Sequence, residues 1–240
     1  MINPKFDLNG KCSFIDLTHA LSPAIPQWGK GCGFQHKVTK DYDDCSTDTK
    51  FRGQSIEMVA GVGTHMDAPV HCFPGAMDIA NISLEQLIAP CVVIDVSAKA
   101  HENYRVTPDD IRHFEAAYGA INKNSFVLIY TAWDKFWNNK DKYRNNLIFP
   151  TISSQAAELL LERDIVGLGI DTLSPDNEAD GFLVHRLVLG SGKYIIENVA
   201  NAGLMPPVGA YTFALPMKIQ DGAESPVRLV AVTISPRSGT

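Results

Sequence analysis

The pattern of apolar positions along the chain predicts several strands separated by helices. Apolar runs cover residues 91–96, 125–131 and 165–170. A continuous apolar run of this length, without polar alternation, is typical of a strand that is covered on both faces. Runs at residues 13–18 and 227–235 predict further strands near the two ends of the chain.

Two stretches between these runs carry helix signals. Thr107 can cap a helix whose first turn holds a proline and two aspartates, and apolar residues follow at helical spacing through Tyr118. Ser153 or Ser154 can cap a second helix that continues through Arg163. Because strands and helices alternate with short connections, the pattern predicts a single α/β domain.

The composition is that of an ordinary soluble globular protein. The chain has 240 residues, of which 45% are hydrophobic and 20% are charged, enough for one large domain or two small ones. Its net charge of -6 gives no reason to expect nucleic acid or an anionic membrane as a partner. The sequence has no run of about 18 apolar residues, so it predicts no membrane span.

Cysteine usage and the N-terminal segment both bear on the cellular compartment. The five cysteines are scattered, odd in number and without Cys-x-x-Cys spacing. Such a pattern predicts reduced thiols and favours neither a disulfide framework nor a thiolate zinc site. Residues 1–11 lack the apolar core of a signal peptide. We therefore expect a cytoplasmic protein.

One stretch, residues 61–71, concentrates side chains suited to catalysis. It reads Gly-Val-Gly-Thr-His-Met-Asp-Ala-Pro-Val-His. His65 and Asp67 are two residues apart, so in extended backbone both side chains leave one face, where imidazole and carboxylate suit zinc or manganese. Pro69 disfavours regular sheet pairing and predicts a rigid edge or loop segment. His71 is then a candidate catalytic proton-transfer group beside the ion.

This stretch resembles the motif of the metal-dependent cyclase family, which includes bacterial kynurenine formamidases and isatin hydrolases. The family pattern is His-x-Gly-Thr-His-x-Asp-x-Pro-x-His, and residues 63–71 match it at every fixed position. The family has a metal-binding histidine where this chain has Gly61. The resemblance extends to His185 and Glu197, which are twelve residues apart, like the family's remaining metal ligands.

The resemblance implies a fold and a metal centre. The fold class is α/β: a single-domain swivelling β/β/α (cyclase-like) fold over residues 1–240, with a mixed sheet core and peripheral helices. The implied metal ligands are His65, Asp67, His185 and Glu197, and the implied cofactor is one or two divalent ions, Zn or Mn. If the two carboxylates bridge, this set can hold two ions.

Gly61 is the departure from the family pattern that bears on the metal. Without the histidine, the first ion site is expected to be weak or empty, and a second site at Asp67, His185 and Glu197 is expected to be better kept. A water or another side chain could fill the gap. Glu57 is a poor substitute, because a pleated strand would place it about 13 Å away at ~3.3 Å per residue. Gly61→His is then expected to raise metal occupancy.

The family's activities imply hydrolysis of a C–N bond in a small aromatic amide. The leading prediction is an arylformamidase that converts N-formylkynurenine to kynurenine, with His71 as the general acid or base. Trp28, Phe73 and Trp133 are predicted to bind the substrate, while packing roles for the tryptophans stay open. The alternatives are an isatin hydrolase-type enzyme, a lactone hydrolase, or a non-catalytic ligand binder, which Gly61 favours. The family also implies a homodimer or homotetramer.

Overall fold

The structure is a computed structural model that describes residues 12–29 and 31–234. Within this part of the chain, eight strands form one mixed sheet, and four further strands form two separate pairs. In chain order the strands are β1 (Cys12–Asp16), β2 (Phe34–Lys40), β3 (Gly53–Met58), β4 (His65–Asp67), β5 (Ile88–Asp95), β6 (Arg105–Val106), β7 (Phe126–Tyr130), β8 (Thr151–Ile152), β9 (Gly167–Ile170), β10 (Tyr194–Glu197), β11 (Ala210–Pro216) and β12 (Glu224–Ile234).

Both predicted helices are confirmed, with the caps that the sequence indicates. The Thr107 hydroxyl and backbone N–H both donate to the Asp110 carboxylate, at 3.0 and 2.7 Å. The Ser153 hydroxyl accepts from the Ala156 N–H at 3.2 Å. In the described residues the α-helices are α1 (Leu84–Leu87), α2 (Pro108–Tyr118), α3 (Lys140–Arg144), α4 (Ser154–Glu162) and α5 (Leu183–Gly190).

None of the helices in the described part of the chain has the length and apolar character needed to cross a bilayer. Residues 1–11, for which the sequence predicts no signal peptide, lie outside the described residues.

The large sheet closes on itself, and this closure determines where the motif lies. Its strand order is β1-β12-β11-β5-β7-β9-β10-β4, and β4 pairs with β12 as well as with β10. The prediction of an edge or loop segment is therefore wrong for His65–Asp67, which form a strand with partners on both sides. Pro69 lies beyond this strand, at the start of a 3-10 turn, so it interrupts no ladder.

Strand β7 shows why the central runs are continuously apolar. Phe126 and Leu128 belong to a core cluster on one face of the sheet. Val127 and Ile129 pack on the other face, together with apolar side chains of α2, α4 and α5. Both faces are covered, so alternation along the strand leaves no position for a polar side chain. The predicted α/β fold with a mixed sheet core and peripheral helices is confirmed.

A buried carboxylate fixes the loop after β7. Asp171 is fully buried and accepts hydrogen bonds from the Thr131 N–H, the Thr131 hydroxyl and the Trp133 N–H, at 3.0, 2.7 and 2.9 Å. The Trp133 indole N–H in turn donates to the carbonyl of Tyr143 at 2.8 Å. The indole is therefore held inside the protein, where it makes an edge contact with Phe136.

Asp171→Asn should lower the free energy of unfolding by about 1–3 kcal/mol, because an amide NH₂ cannot accept the hydrogen bond from a buried N–H. Urea denaturation at neutral pH would measure the change. Asp48→Asn, at an exposed position between β2 and β3, is the matched control and should change the free energy of unfolding little. Equal stabilities for the two variants would contradict the role given to Asp171.

Candidate metal centre

The register of three neighbouring strands brings four polar side chains onto one face. His65 and Asp67 alternate on β4 and so share a face. Glu197 of β10 lies directly opposite His65, and Glu224 of β12 lies directly opposite Asp67. Side chains directly opposite each other in a ladder project to the same side. The closure of the sheet therefore gathers these four groups, which come from three distant parts of the chain.

A fifth group comes from helix α5. The Nε2 atom of His185 lies 3.6 Å from Asp67 Oδ2 and 3.4 Å from Glu197 Oε1. Its Nδ1 atom lies 2.7 Å from Asp176 Oδ1. The other oxygen of Asp176 accepts from the backbone N–H of His185 and Val184, the first residues of the helix. Asp176 thus orients both the helix and the imidazole, and leaves Nε2 as the coordinating atom.

His65 is oriented in the same way by a backbone carbonyl. Its Nδ1 atom lies 2.9 Å from the Gly63 oxygen, which also accepts from the Asn198 side chain. Nε2 therefore faces the carboxylates, at 3.5 Å from Asp67 Oδ1 and 3.4 Å from Glu197 Oε2. Gly63 adopts a φ of 66°, a left-handed conformation that glycine takes without strain.

The two carboxylates each direct one oxygen to each histidine. Asp67 places Oδ1 near His65 and Oδ2 near His185. Glu197 places Oε2 near His65 and Oε1 near His185. Carboxylates placed in this way could contact one ion or two, and hydrolases with two metals hold them about 3.5–4 Å apart.

The donor atoms fit a divalent cation better than they fit one another. The separations of 3.4–3.6 Å between imidazole nitrogens and carboxylate oxygens exceed ordinary hydrogen-bond lengths. Asp67 Oδ1 is buried and has no hydrogen-bond partner among the described residues, a costly state for a carboxylate oxygen. Donor atoms of Asp67, His185 and Glu197 all lie within 4.8 Å of one another. Imidazole nitrogen and carboxylate oxygen are suitable ligands for zinc and manganese.

The same groups have linked protonation states. Burial opposes the charged forms of His65 and His185, but the neighbouring carboxylates outweigh it and raise both pKa values. Burial, followed by the charge of Asp67, raises the pKa of Glu197. Burial also opposes ionisation of Asp67, but the histidines outweigh it and lower its pKa. Protonated imidazoles and a divalent cation are thus alternative counter-charges for the same carboxylates.

A cavity of about 330 Å³ opens beside these donors, a volume at the lower end of the range for small-molecule sites. Trp28 and Phe182 lie in its wall with their ring centroids 5.8 Å apart, and His71 also lines it. Phe182 has a φ of 52°, which is unusual for a bulky residue. The cavity is therefore lined by aromatic rings as well as by the carboxylates of Asp67, Glu197 and Glu224.

The sequence matches the profile of the Cyclase family, described as "Putative cyclase", over residues 15–177. The chain belongs to the cyclase family. The resemblance drawn from residues 63–71 is thereby confirmed.

Individual members of the cyclase family are similar to this chain over most of its length. It is 30% identical to the isatin hydrolase of Roseibium aggregatum, over 94% of this chain and 93% of that protein. It is 28% identical to the kynurenine formamidase of Erythrobacter litoralis, over 86% of this chain and 88% of that protein. A solved isatin hydrolase bound to the product analogue thioisatinate superposes with a TM-score of 0.87 at 26% identity, covering 95% of each chain.

A further solved structure is described as a potential metal-dependent hydrolase with cyclase activity. It is 25% identical to this chain, has a TM-score of 0.73, and covers 94% of this chain and 100% of its own. The family relatives are thus hydrolases, and metal dependence agrees with the donor geometry found here.

Two of the three aromatic residues predicted to bind substrate lie elsewhere. Phe73 packs against the hydrophobic cluster beneath the helices, with its ring close to Gly190 of α5. Trp133 is held in a third core cluster by its bond to Tyr143. Neither lines the cavity, whereas Trp28 does. The structure does not bring these two residues to the cavity: Trp133 is buried in a core cluster, and Phe73 is partly buried against another.

Several residues of the site carry little or no signal in the sequence. Asp176 carries a recoverable signal, since a buried metal-binding histidine generally needs an acceptor for its second nitrogen. Asn198 follows Glu197 directly, and its φ of 56° suits asparagine. Glu224 and Phe182 carry no local signal, because sheet closure and an irregular turn bring them to the cavity. Glu57, by contrast, is exposed on the β2–β3 hairpin, as expected for a residue outside the site.

Asp176→Asn should weaken metal binding by about 10–100-fold, the usual cost of removing the group that orients a metal-binding histidine. The amide also cannot accept both backbone N–H bonds at the start of α5 while holding the imidazole. Titration with buffered Mn²⁺ would measure the affinity. Asp180→Asn, in the neighbouring turn, removes one carboxylate outside the centre and should leave the affinity unchanged.

Proposed function

We propose that this cyclase-family protein uses a divalent metal to hydrolyse a C–N bond in a small aromatic amide. The observation that carries the proposal is the convergence of two imidazoles and three carboxylates in the cavity lining, where the buried Asp67 Oδ1 atom has no hydrogen-bond partner among the described residues. A purely structural cluster of this kind would be expected to close its own hydrogen bonds.

The proposed roles follow from which atoms face the cavity. A divalent ion held by His65, Asp67, His185 and Glu197 would lower the pKa of a coordinated water and polarise a carbonyl. Trp28 and Phe182, whose rings contact each other, would form one apolar surface against which the aromatic ring of the substrate would pack. These contacts would orient the amide carbonyl toward the carboxylate-lined floor.

His71 is proposed to carry the proton. Its Nδ1 atom lies 3.8 Å from Glu224 Oε2, and its ring centroid lies 6.1 Å from that of His185. With Nδ1 turned toward Glu224, Nε2 is left to exchange a proton with the substrate. As water adds to the carbonyl carbon and the C–N bond breaks, His71 would protonate the departing nitrogen.

Two substrate types deserve direct comparison. An aryl formamide such as N-formylkynurenine is the leading candidate from the sequence motif, and kynurenine formamidases are among the relatives. A cyclic amide fused to a benzene ring is the second, because the isatin hydrolases match this chain at 30% identity and with a TM-score of 0.87. Both carry a benzene ring, which the aromatic residues lining the cavity could contact.

The test is a hydrolysis assay on the purified protein, loaded with Mn²⁺ or Zn²⁺. Formate release would report N-formylkynurenine cleavage, and loss of isatin absorbance would report ring opening. We expect kcat/KM of about 10⁴ M⁻¹s⁻¹ or more for one of them, the lower range for natural substrates. An aryl lactone in the same panel tests the ester alternative. If the metal-loaded protein hydrolysed none of these three compounds, the result would favour a non-catalytic ligand binder and contradict the proposal.

A further inference from the structure

Gly61 and Glu224 occupy one space beside the metal centre. A Cβ atom built on Gly61 would overlap Glu224 Oε1, and would lie 2.9 Å from Glu224 Cδ and 3.3 Å from His65 Nε2. Any side chain at position 61 would therefore start where the Glu224 carboxylate now ends. Glycine at this position is what lets the carboxylate reach the imidazole.

We infer that Glu224 is a metal ligand, which completes a site with His65 and Asp67 in place of a side chain from position 61. Donor atoms of these three residues all lie within 4.8 Å of one another. Asp67 Oδ1, the buried oxygen for which residues 12–29 and 31–234 supply no hydrogen-bond partner, is the one that faces His65. The other oxygen of Asp67 faces His185. Asp67 therefore belongs to two donor groups, and would bridge them: the first is His65, Asp67 and Glu224, and the second is Asp67, His185 and Glu197.

The backbone around Glu224 supports a positioned ligand. Glu224 begins β12 and pairs with Asp67, and its neighbour Ser225 is fully buried. Its side chain is 27% exposed, which leaves room for a coordinated water. Each proposed ion then has one imidazole as well as carboxylates, a donor set that suits manganese.

The charge balance also changes. A neutral side chain or a water at this place would leave two carboxylates for two divalent ions, and Glu224 adds a third anion. The inference rests on the metal dependence in the proposed function, but it can be tested without any substrate.

The experiment is Mn²⁺ titration of the full chain, followed by equilibrium dialysis and electron paramagnetic resonance. We expect the wild-type chain to bind two ions, with the coupled spectrum of a close pair. Glu224→Gln should weaken one of the two binding steps by at least about 10–100-fold and leave the single-ion spectrum. Glu57→Gln removes the same charge from the exposed hairpin and is the matched control.

The outcomes separate this inference from the proposed function. A wild-type chain that is folded but binds no ion would contradict both. Two binding steps in Glu224→Gln that lie within about twofold of the wild type would overturn the inference alone, as would a single step that both proteins share. Thermal unfolding of each variant without metal would show that the fold is intact.

A paired replacement gives a second test. In Gly61→His alone the Glu224 carboxylate has to move away, because a Cβ atom at position 61 overlaps its Oε1 atom; one ligand then replaces another, so metal occupancy should not rise. Gly61→His combined with Glu224→Gly should recover at least part of the binding step that Glu224→Gly alone loses, since the imidazole then has the vacated space. Effects that simply add would contradict the shared space.

Discussion

Asp67→Asn should reduce kcat/KM by about 10³-fold or more, which corresponds to about 4 kcal/mol of lost transition-state stabilisation. It should also weaken binding of both ions together. Asp67 is 1% exposed, and its oxygens lie 3.5 Å from His65 Nε2 and 3.6 Å from His185 Nε2. An amide keeps the size but removes the negative charge and one acceptor, so neither donor group stays complete.

His185→Ala should differ from Asp67→Asn in how many metal-binding steps it removes. His185 belongs to one donor group, so its loss should abolish one binding step and spare the other. Asp67→Asn should affect both. Asp43→Asn, in an exposed 3-10 turn between β2 and β3, is the control for loss of one negative charge. If Asp67→Asn retained one ion at wild-type affinity, Asp67 would not be a bridge.

The sequence predicts the parts of the site that depend on neighbouring residues, and not those that depend on the pairing of distant strands. His65 and Asp67 were predicted to share a face because they are two residues apart in one strand, and the structure places them so. The pairing of β4 with both β10 and β12 depends on closure of the sheet. Glu224 lies 157 positions after Asp67 in the sequence but opposite it in space. Nothing near either residue predicts that register.

Aromatic residues were a weaker guide than the motif. Trp28, Phe73 and Trp133 all follow plausible patterns, yet only Trp28 reaches the cavity among them. A large ring stabilises a core as well as it lines a binding site, so sequence position alone cannot distinguish the two. Phe182 reaches the cavity through a left-handed backbone conformation. A phenylalanine in the sequence does not predict that conformation, because bulky residues rarely adopt it.

His71→Asn should lower kcat by about 10²–10⁴-fold, the usual contribution of a positioned proton-transfer group, while both metal-binding steps stay unchanged. His71 is outside the two donor groups, and its side chain is 34% exposed at the cavity wall. Its Nδ1 atom lies 3.8 Å from Glu224 Oε2, and its ring centroid lies 6.1 Å from that of His185. Proton transfer and metal binding are therefore separable at this residue, unlike at Asp67.

Steady-state kinetics and Mn²⁺ titration of the same preparation would test this separation. His36→Asn, on the exposed hairpin, removes an imidazole far from the cavity and should leave both measurements unchanged. A full rate in His71→Asn would assign the proton to another group or to solvent. A joint loss of rate and metal would instead make His71 a ligand. A loss of rate with the metal kept is the expected outcome, because His71 lines the cavity but lies outside both groups of residues proposed to hold the ions.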